Sequence, residues 1–115
     1  MVYICAKIKG KKMSFFGLFE GGNSTESIEE YLKEGAVVID VRTVEEYKSG
    51  HVNGSKNIVL NTIPGKITEI KAMNKKVIAV CRSGARSGQA ASFLKQQGID
   101  VINGGPWQNV AKFVN

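Results

Sequence analysis

Residues 76–87 read KVIAVCRSGARS and contain the clearest strand of the chain. Val77–Val80 is a continuous apolar run, which is typical of a strand that is covered on both faces. Gly84 then breaks the chain, and the apolar spacing of Ser87–Gln97 predicts a helix. Cys81 therefore lies between a buried strand and a helix.

Helices and strands alternate on both sides of this segment. We predict, in chain order, a helix at Glu26–Lys33, a strand at Ala36–Val41, a short helix that opens with a Thr43–Glu46 capping box and ends at Gly50, a strand at Ile58–Leu60, a helix at Ile63–Met73, the strand and helix around Cys81, a strand at Val101–Ile102 and a last helix near Trp107–Val114. This alternation implies an α/β fold with a central parallel sheet and helices on both faces. Ligands bind such folds at the carboxyl ends of the strands, where Cys81 lies.

Length and composition indicate one globular domain. The chain has 115 residues, of which 43% are hydrophobic and 23% charged. No apolar run approaches the ~20 residues that cross a membrane, and none has the form of a signal peptide. We therefore expect a cytoplasmic monomer without an integral membrane segment. A periplasmic location stays open if an export signal was removed.

The net charge of +6 is concentrated near the amino terminus. Four of the 16 basic residues lie within Lys7–Lys12, and the remainder of the chain is close to neutral. Because charge runs are usually solvated, we expect no nucleic-acid partner and no lipid anchor. We assign residues 1–22 to an extension or poorly defined segment and residues 23–115 to the domain. Met13 is an alternative natural start.

The two cysteines have different surroundings. Cys5 lies in a short apolar run and is interpreted as a structural residue. Two thiols do not make a disulfide framework, and their spacing does not suggest a zinc site. With a single histidine, His51, and no acidic cluster, we expect no metal and no cofactor.

Cys81 has the surroundings of a reactive cysteine. A tight loop before a helix points backbone N–H groups inward, and the helix terminus adds partial positive charge. Arg82 and Arg86 add two full charges, so we expect a depressed thiol pKa and a cradle for an anion. The predicted catalytic residue is Cys81, and the predicted substrate-binding residues are Arg82, Ser83, Gly84, Ala85, Arg86 and Ser87.

These residues resemble the active-site loop of rhodanese-like sulfurtransferases. Further matches are Asp40-Val41-Arg42, Glu46-Tyr47, Gly50-His51-Val52, Gly54–Ile58 and Gly104-Gly105. The resemblance covers about Thr25 to Val114. It departs from the family in the last helix, where the usual Trp position is Asn109 and Trp107 comes two residues early, as a packing or rim residue.

The resemblance implies a sulfur-transfer mechanism. The Cys81 thiolate takes sulfur from a small anionic donor such as thiosulfate, and the persulfide passes it to a thiophilic acceptor such as cyanide or a thiol. Related phosphatases and arsenate reductases have Cys-x5-Arg, whereas this chain has the tighter Cys81-x4-Arg86. Asp40 and Arg42 are predicted to support the loop, Asp40 by a hydrogen bond or ion pair with an arginine. Glu46 is interpreted as a capping residue, and His51 receives no catalytic role.

Two alternatives remain. In the first, the domain is a relay that delivers persulfide sulfur to a partner protein. In the second, it is a binding module whose loop holds an anion. An intact Cys81 argues against the binding module, but the sequence does not separate the enzyme from the relay. The physiological donor and acceptor stay open.

Overall fold

Four parallel strands form one sheet with helices on both faces. The computed structural model describes residues 25–115. The elements are α1 (Thr25–Lys33), β1 (Val37–Asp40), α2 (Val44–Lys48), β2 (Lys56–Asn57), a 3-10 helix (Leu60–Lys66), α3 (Ile67–Ala72), β3 (Val77–Cys81), α4 (Ala85–Gln96), β4 (Val101–Pro106) and α5 (Gln108–Val114). The strand order is β2-β1-β3-β4, and every pair is parallel. The predicted α/β fold is confirmed, whereas the predicted segment 1–22, with Cys5 and Met13, lies outside the described residues.

The strand β3 shows why the sheet is covered on both faces. All five of its residues are buried. Successive side chains of a strand point to opposite faces, so Val77, Ala79 and Cys81 pack on one side while Ile78 and Val80 pack on the other. The first side carries α3, α4 and the 3-10 helix, and the second carries α1 and α5. The Cys81 side chain therefore points toward α4.

Two predicted elements between β1 and β3 are wrong in detail. The predicted strand Ile58–Leu60 is instead a two-residue strand at Lys56–Asn57, and Leu60 already begins the 3-10 helix. The Asn57 side-chain amide donates to the carbonyls of Asp40 and Arg42, both at 3.0 Å, and the Ile58 N–H also donates to the Asp40 carbonyl at 3.0 Å. The register of β2 with β1 ends at the pair of Asn57 and Asp40, and the Leu60 N–H still donates to the Val41 carbonyl at 3.1 Å as the 3-10 helix begins.

The predicted helix Ile63–Met73 is divided into two parts. Pro64 lies inside the 3-10 helix, and α3 begins at Ile67. Proline has no N–H for an α-helical hydrogen bond, and its ring disfavours helical backbone in the residue before it. Ile63 and Ile70 are nevertheless both buried, so the predicted apolar face is kept across the division.

The strand β4 runs four residues farther than Val101–Ile102. Its register with β3 shifts so that Asn103 lies opposite Ala79 and Gly105 lies opposite Val80, which leaves Gly104 as the extra residue of a bulge. A Cβ on Gly104 would lie 2.8 Å from a methyl carbon of Ile78. Glycine is therefore required for the close approach of β4 to β3, which brings Asn103 and Gly105 beside the Cys81 loop.

Candidate active site

Cys81 is the last residue of a central strand, as the sequence predicted. Its side chain is fully buried, and α4 begins at Ala85, two residues earlier than predicted. Ala85 and Arg86 therefore belong to the first turn of the helix. Gly84 precedes that turn with a φ of 104°, in the left-handed region where a Cβ is strained. The loop thus reverses the chain within Arg82–Gly84.

Hydrogen-bond donors converge on the Cys81 sulfur. The Gly84 N–H donates to Sγ at 2.9 Å, the Ser87 N–H donates at 3.4 Å, and the Ser87 Oγ lies 3.3 Å away. Burial raises the pKa of the Cys81 thiol, but hydrogen bonds from the Ser87 side chain and from the backbone of Ser87, Gly84 and Ser83 outweigh burial, so the pKa is lower than that of an ordinary thiol. The site favours a thiolate.

The two loop arginines have different positions. Arg82 is exposed, and no described residue pairs with its guanidinium. Arg86 makes two hydrogen bonds to Glu46, Nη1 to Oε1 at 2.8 Å and Nη2 to Oε2 at 3.0 Å. That contact raises the Arg86 pKa, and the nearby Cys81 charge raises it further. The largest contributions that lower the Cys81 pKa come from hydrogen bonds. The sequence had suggested the two arginine charges instead.

Glu46 has a second role besides capping. The predicted capping box is present: the Thr43 N–H donates to Oε1 of Glu46 at 3.1 Å, and the Glu46 N–H donates to Oγ1 of Thr43 at 3.3 Å. The same carboxylate binds Arg86, and this contact, followed by the Thr43 N–H, lowers the Glu46 pKa to about 2. The sequence signals the cap, but no local pattern signals the partner 40 residues away.

Asp40 and Arg42 form a buried ion pair at the carboxyl end of β1. Arg42 Nε lies 2.9 and 3.0 Å from the two Asp40 oxygens, and Nη2 lies 2.7 Å from Oδ2. The same Nη2 donates to the Gly50 carbonyl at 2.6 Å, and the guanidinium lies 5.2 Å from the Trp107 ring centroid. The arginine that Asp40 binds is therefore Arg42, and the pair braces Gly50 and Trp107.

Trp107 is a packing residue beside the site. Its backbone N–H donates to the Cys81 carbonyl at 2.8 Å, which fixes the start of α5 to the end of β3. Its ring lies so close to Gly50 that a Cβ there would be 3.3 Å away. His51 lies nearby and stacks on Tyr47 with 3.8 Å between ring centroids, while its Nδ1 lies 2.7 Å from the Tyr47 carbonyl. These contacts account for His51 without a catalytic role.

Asn103 is the site residue that the sequence reasoning missed. Its Oδ1 accepts from the Ser87 hydroxyl at 2.6 Å and from the Gly105 N–H at 2.9 Å. Its Nδ2 donates to the Gly84 carbonyl at 3.1 Å. The available signal was the position of Asn103 near the carboxyl end of a strand beside β3, where polar groups face the site.

The described residues contain neither a cluster of metal-ligating side chains nor a membrane-spanning helix. Within 25–115, no three His, Cys, Asp or Glu side chains group as metal ligands would. No helix of that region is long and apolar enough to span a membrane.

Comparison with known proteins identifies the family. Residues 24–107 match the family model of the rhodanese-like domain, and the chain therefore belongs to that family. It is 37% identical over 75 residues to thiosulfate sulfurtransferase PspE from Escherichia coli, across 64% of this chain and 72% of that protein. It is 36% identical over 69 residues to a sulfurtransferase from Allochromatium vinosum, across 60% of this chain and 64% of that protein.

Solved structures share the fold. The chain resembles the structure of a rhodanese with anions from E. coli, with a TM-score of 0.61 and 35% identity, over 67% of this chain and 93% of that one. The chain spans less than two thirds of the length of several curated relatives that it matches, and 38% in one case.

Proposed function

We propose that this domain is a sulfurtransferase in which Cys81 carries sulfur as a persulfide. The observation that carries the proposal is the convergence of the Gly84 and Ser87 N–H groups on Sγ, at 2.9 and 3.4 Å. Donors in this arrangement stabilise a thiolate, which is the nucleophilic form of cysteine. The sulfurtransferase names of the relatives agree with this chemistry.

The reaction has two steps, written here for thiosulfate and cyanide. The Cys81 thiolate attacks the outer sulfur of thiosulfate, a new S–S bond forms, and the donor's own S–S bond breaks so that sulfite leaves with the electron pair. Cyanide then attacks the terminal sulfur of the persulfide. Thiocyanate forms, and the Cys81 thiolate is regenerated as the leaving group.

The spacing of the loop favours sulfur over phosphorus. Cys81 and Arg86 enclose four residues, and the N–H groups of Gly84 and Ser87 already converge on one sulfur atom. A phosphate carries four oxygens around phosphorus and needs a wider ring. We therefore infer persulfide transfer rather than hydrolysis of a phosphate ester.

A relay role is the second candidate, and one observation favours it. Arg86, the loop cation in the helix, is bound by Glu46, so its charge is neutralised where a doubly charged donor would need it. A partner protein that supplies or removes sulfur through its own cysteine depends less on a free cation than thiosulfate does.

Intact mass tests the proposal. We expect a Cys5→Ser variant to gain one sulfur on exposure to thiosulfate or to a persulfide donor and to lose it on addition of cyanide. The double variant Cys5→Ser, Cys81→Ser is the matched control and is expected to gain nothing. Loading by the persulfide donor but not by thiosulfate identifies the relay. Hydrolysis of an aryl phosphate without any sulfur adduct would overturn the proposed function.

A further inference from the structure

Asn103 has only one orientation that satisfies its neighbours. The Gly105 N–H can only donate and the Gly84 carbonyl can only accept. They lie 2.9 Å from Oδ1 and 3.1 Å from Nδ2 respectively. Reversing the carboxamide would place donor against donor and acceptor against acceptor. The atom that faces Ser87 is therefore an oxygen, which has no hydrogen to give.

This orientation decides where the Ser87 hydrogen points. The Ser87 hydroxyl lies 2.6 Å from Oδ1 of Asn103 and 3.3 Å from Sγ of Cys81. A hydroxyl has one hydrogen, and Asn103 Oδ1 can only accept it. While Ser87 donates to Asn103, its oxygen presents lone pairs to the sulfur. That arrangement suits a protonated Cys81, whose S–H can donate to Ser87.

A thiolate requires the opposite arrangement. When the Cys81 proton leaves to solvent, the negative sulfur can accept a further donor beside the Gly84 and Ser87 N–H groups. The only hydrogen on the Ser87 oxygen is the one that points at Asn103. Rotation of the hydroxyl brings that hydrogen to Sγ. Asn103 Oδ1 keeps the Gly105 N–H as a donor after the rotation, so no buried oxygen loses its last partner. Ser87 keeps its hydrogen throughout, and Asn103 never receives a proton.

We propose that Asn103 is a positioning residue that holds the Ser87 hydroxyl between two acceptors, so that Ser87 donates to Cys81 only when the Cys81 sulfur is negative. The inference rests on the proposed function for its catalytic meaning. In the persulfide the charge lies on the outer sulfur, Sγ is uncharged, and Ser87 returns to Asn103. When the acceptor attacks, Sγ becomes the leaving thiolate and Ser87 turns to it again.

The packing around Asn103 supports a fixed position. A Cβ on Gly88, which follows Ser87 in α4, would lie 3.2 Å from Nδ2 of Asn103. The side chain of Asn103 thus occupies the space that glycine leaves, between α4 and the bulge of β4. Its three hydrogen bonds and this close approach hold the Asn103 side chain in place, so Asn103 sets the geometry of the hydroxyl that it binds.

Other charged groups near Cys81 are accounted for by partners of their own. Arg86 on α4 senses the Cys81 charge and is paired with Glu46 of α2. Asp40 at the end of β1 is paired with Arg42. The remaining cation of the loop is Arg82, which is exposed. If the pH dependence of Cys81 alkylation requires both Ser87 and Asn103, the effect comes from their hydrogen bond and not from those charges.

A double-mutant cycle on alkylation tests the proposal. In a Cys5→Ser background, the iodoacetamide rate of Cys81 against pH reports the thiolate fraction and does not require sulfur transfer. Asn103→Ala removes the competing acceptor, so the thiol form is stabilised less than in wild type and the thiolate fraction rises. We therefore expect roughly tenfold faster alkylation at about pH 6. In a Ser87→Ala background the same change has no effect, because there is no hydroxyl to release.

Other outcomes overturn the proposal. An equal effect of Asn103→Ala in both backgrounds shows that Asn103 acts through Gly84, and an unchanged or slower rate beside wild-type Ser87 shows that no acceptor competes. Should Asn103→Ala not fold, Asn103→Asp is the alternative, because it keeps the acceptor and strengthens it. We expect this variant to slow the alkylation of Cys81, and we expect the slowing to be smaller in the Ser87→Ala background. Equal slowing in both backgrounds is a charge effect alone and refutes the switch. Failure to load sulfur, with the cycle intact, contradicts only the proposed function.

Discussion

Arg86 and Glu46 lie 40 residues apart in the chain and are joined by two hydrogen bonds, 2.8 Å from Nη1 to Oε1 and 3.0 Å from Nη2 to Oε2. The contact ties the first turn of α4 to the first turn of α2. Both side chains keep about a third of their surface exposed, 35% for Arg86 and 28% for Glu46. If an anionic donor binds at Cys81 as proposed, it would compete with Glu46 for the guanidinium.

Removing the charge of Glu46 is expected to improve use of an anionic donor. Glu46→Gln keeps an N3 residue that can complete the capping box but loosens its hold on Arg86. We expect the KM for thiosulfate to fall about twofold to fivefold with little change in kcat, because a partly exposed pair is weak. Glu45→Gln, an exposed carboxylate of the same turn, is the matched control. An unchanged KM in both variants would show that Arg86 does not meet the donor.

The same carboxylate gives stability an acid dependence. The Glu46 pKa is lowered to about 2 from 4.5, so its contribution is fully present above about pH 4.5 and is lost as the pH falls through about 2. The free energy of unfolding, measured with denaturant from neutral to acid pH, should therefore fall less steeply in Glu46→Gln than in wild type. Glu69→Gln, at a 61% exposed carboxylate 3.7 Å from Lys66, should follow wild type. Parallel curves for all three proteins would contradict the linkage.

Arg86 is expected to matter more for transfer than for folding. Arg86→Ala would remove the proposed charge-assisted contact to the donor and persulfide, worth roughly 1.5–3 kcal/mol, so kcat/KM should drop about tenfold to a hundredfold. Arg86→Lys should restore only part, because an ammonium lacks the planar fork. Combining Glu46→Gln with Arg86→Ala distinguishes loss of the cation from exposure of an unpaired carboxylate. Full activity of Arg86→Ala would show that the backbone N–H groups suffice.

The buried pair at the end of β1 is expected to dominate local stability. Arg42→Met leaves Asp40, which is fully buried, without its cation, and removing one partner of such a pair costs about 3–5 kcal/mol. The double variant Asp40→Asn, Arg42→Met removes both charges and should recover part of that loss. Urea unfolding measures each free energy. If Arg42→Met were as stable as wild type, the pair would have no role in holding Gly50 and Trp107.

Glycine at the β4 bulge is expected to be a steric requirement. Gly104→Ala would place a Cβ 2.8 Å from Ile78 and 3.0 Å from Val80, and such overpacking costs roughly 1–3 kcal/mol. Gly65→Ala is the matched control, since a Cβ there meets nothing within 4 Å. Thermal unfolding compares the two variants. A Gly104→Ala protein with the stability of Gly65→Ala would show that β4 can move away from β3.

The strand and helix around Cys81 could be predicted because their signals are local. Val77–Val80 is apolar without interruption, and Gly84 marks the break before α4. The partners of the loop could not be predicted, since Ser87 meets Asn103 over 16 residues and Arg86 meets Glu46 over 40. Such pairs depend on the order of the strands and on the bulge at Gly104. The bulge alters the register of β4 beyond Val101–Ile102, the apolar residues from which the strand was predicted.

The region between β1 and β3 was predicted less well for a physical reason. Its apolar residues are spaced as a strand near Ile58 and as a helix near Ile63, but Pro64 removes a backbone donor and the Asn57 side chain binds the Arg42 carbonyl after β1. Backbone chemistry of single residues thus overrides the hydrophobic pattern.

The two outer strands bear on how the protein behaves in a crowded solution. Within residues 25–115 the sheet is bounded by β2, which has two residues, and by β4, which ends in a bulge and Pro106. A flat, long border would offer a row of unpaired N–H and C=O groups to a neighbouring molecule, and short, bulged or proline-containing borders resist this. Copies of the domain are thereby discouraged from joining sheet to sheet into aggregates, even though the middle of the sheet is almost entirely apolar.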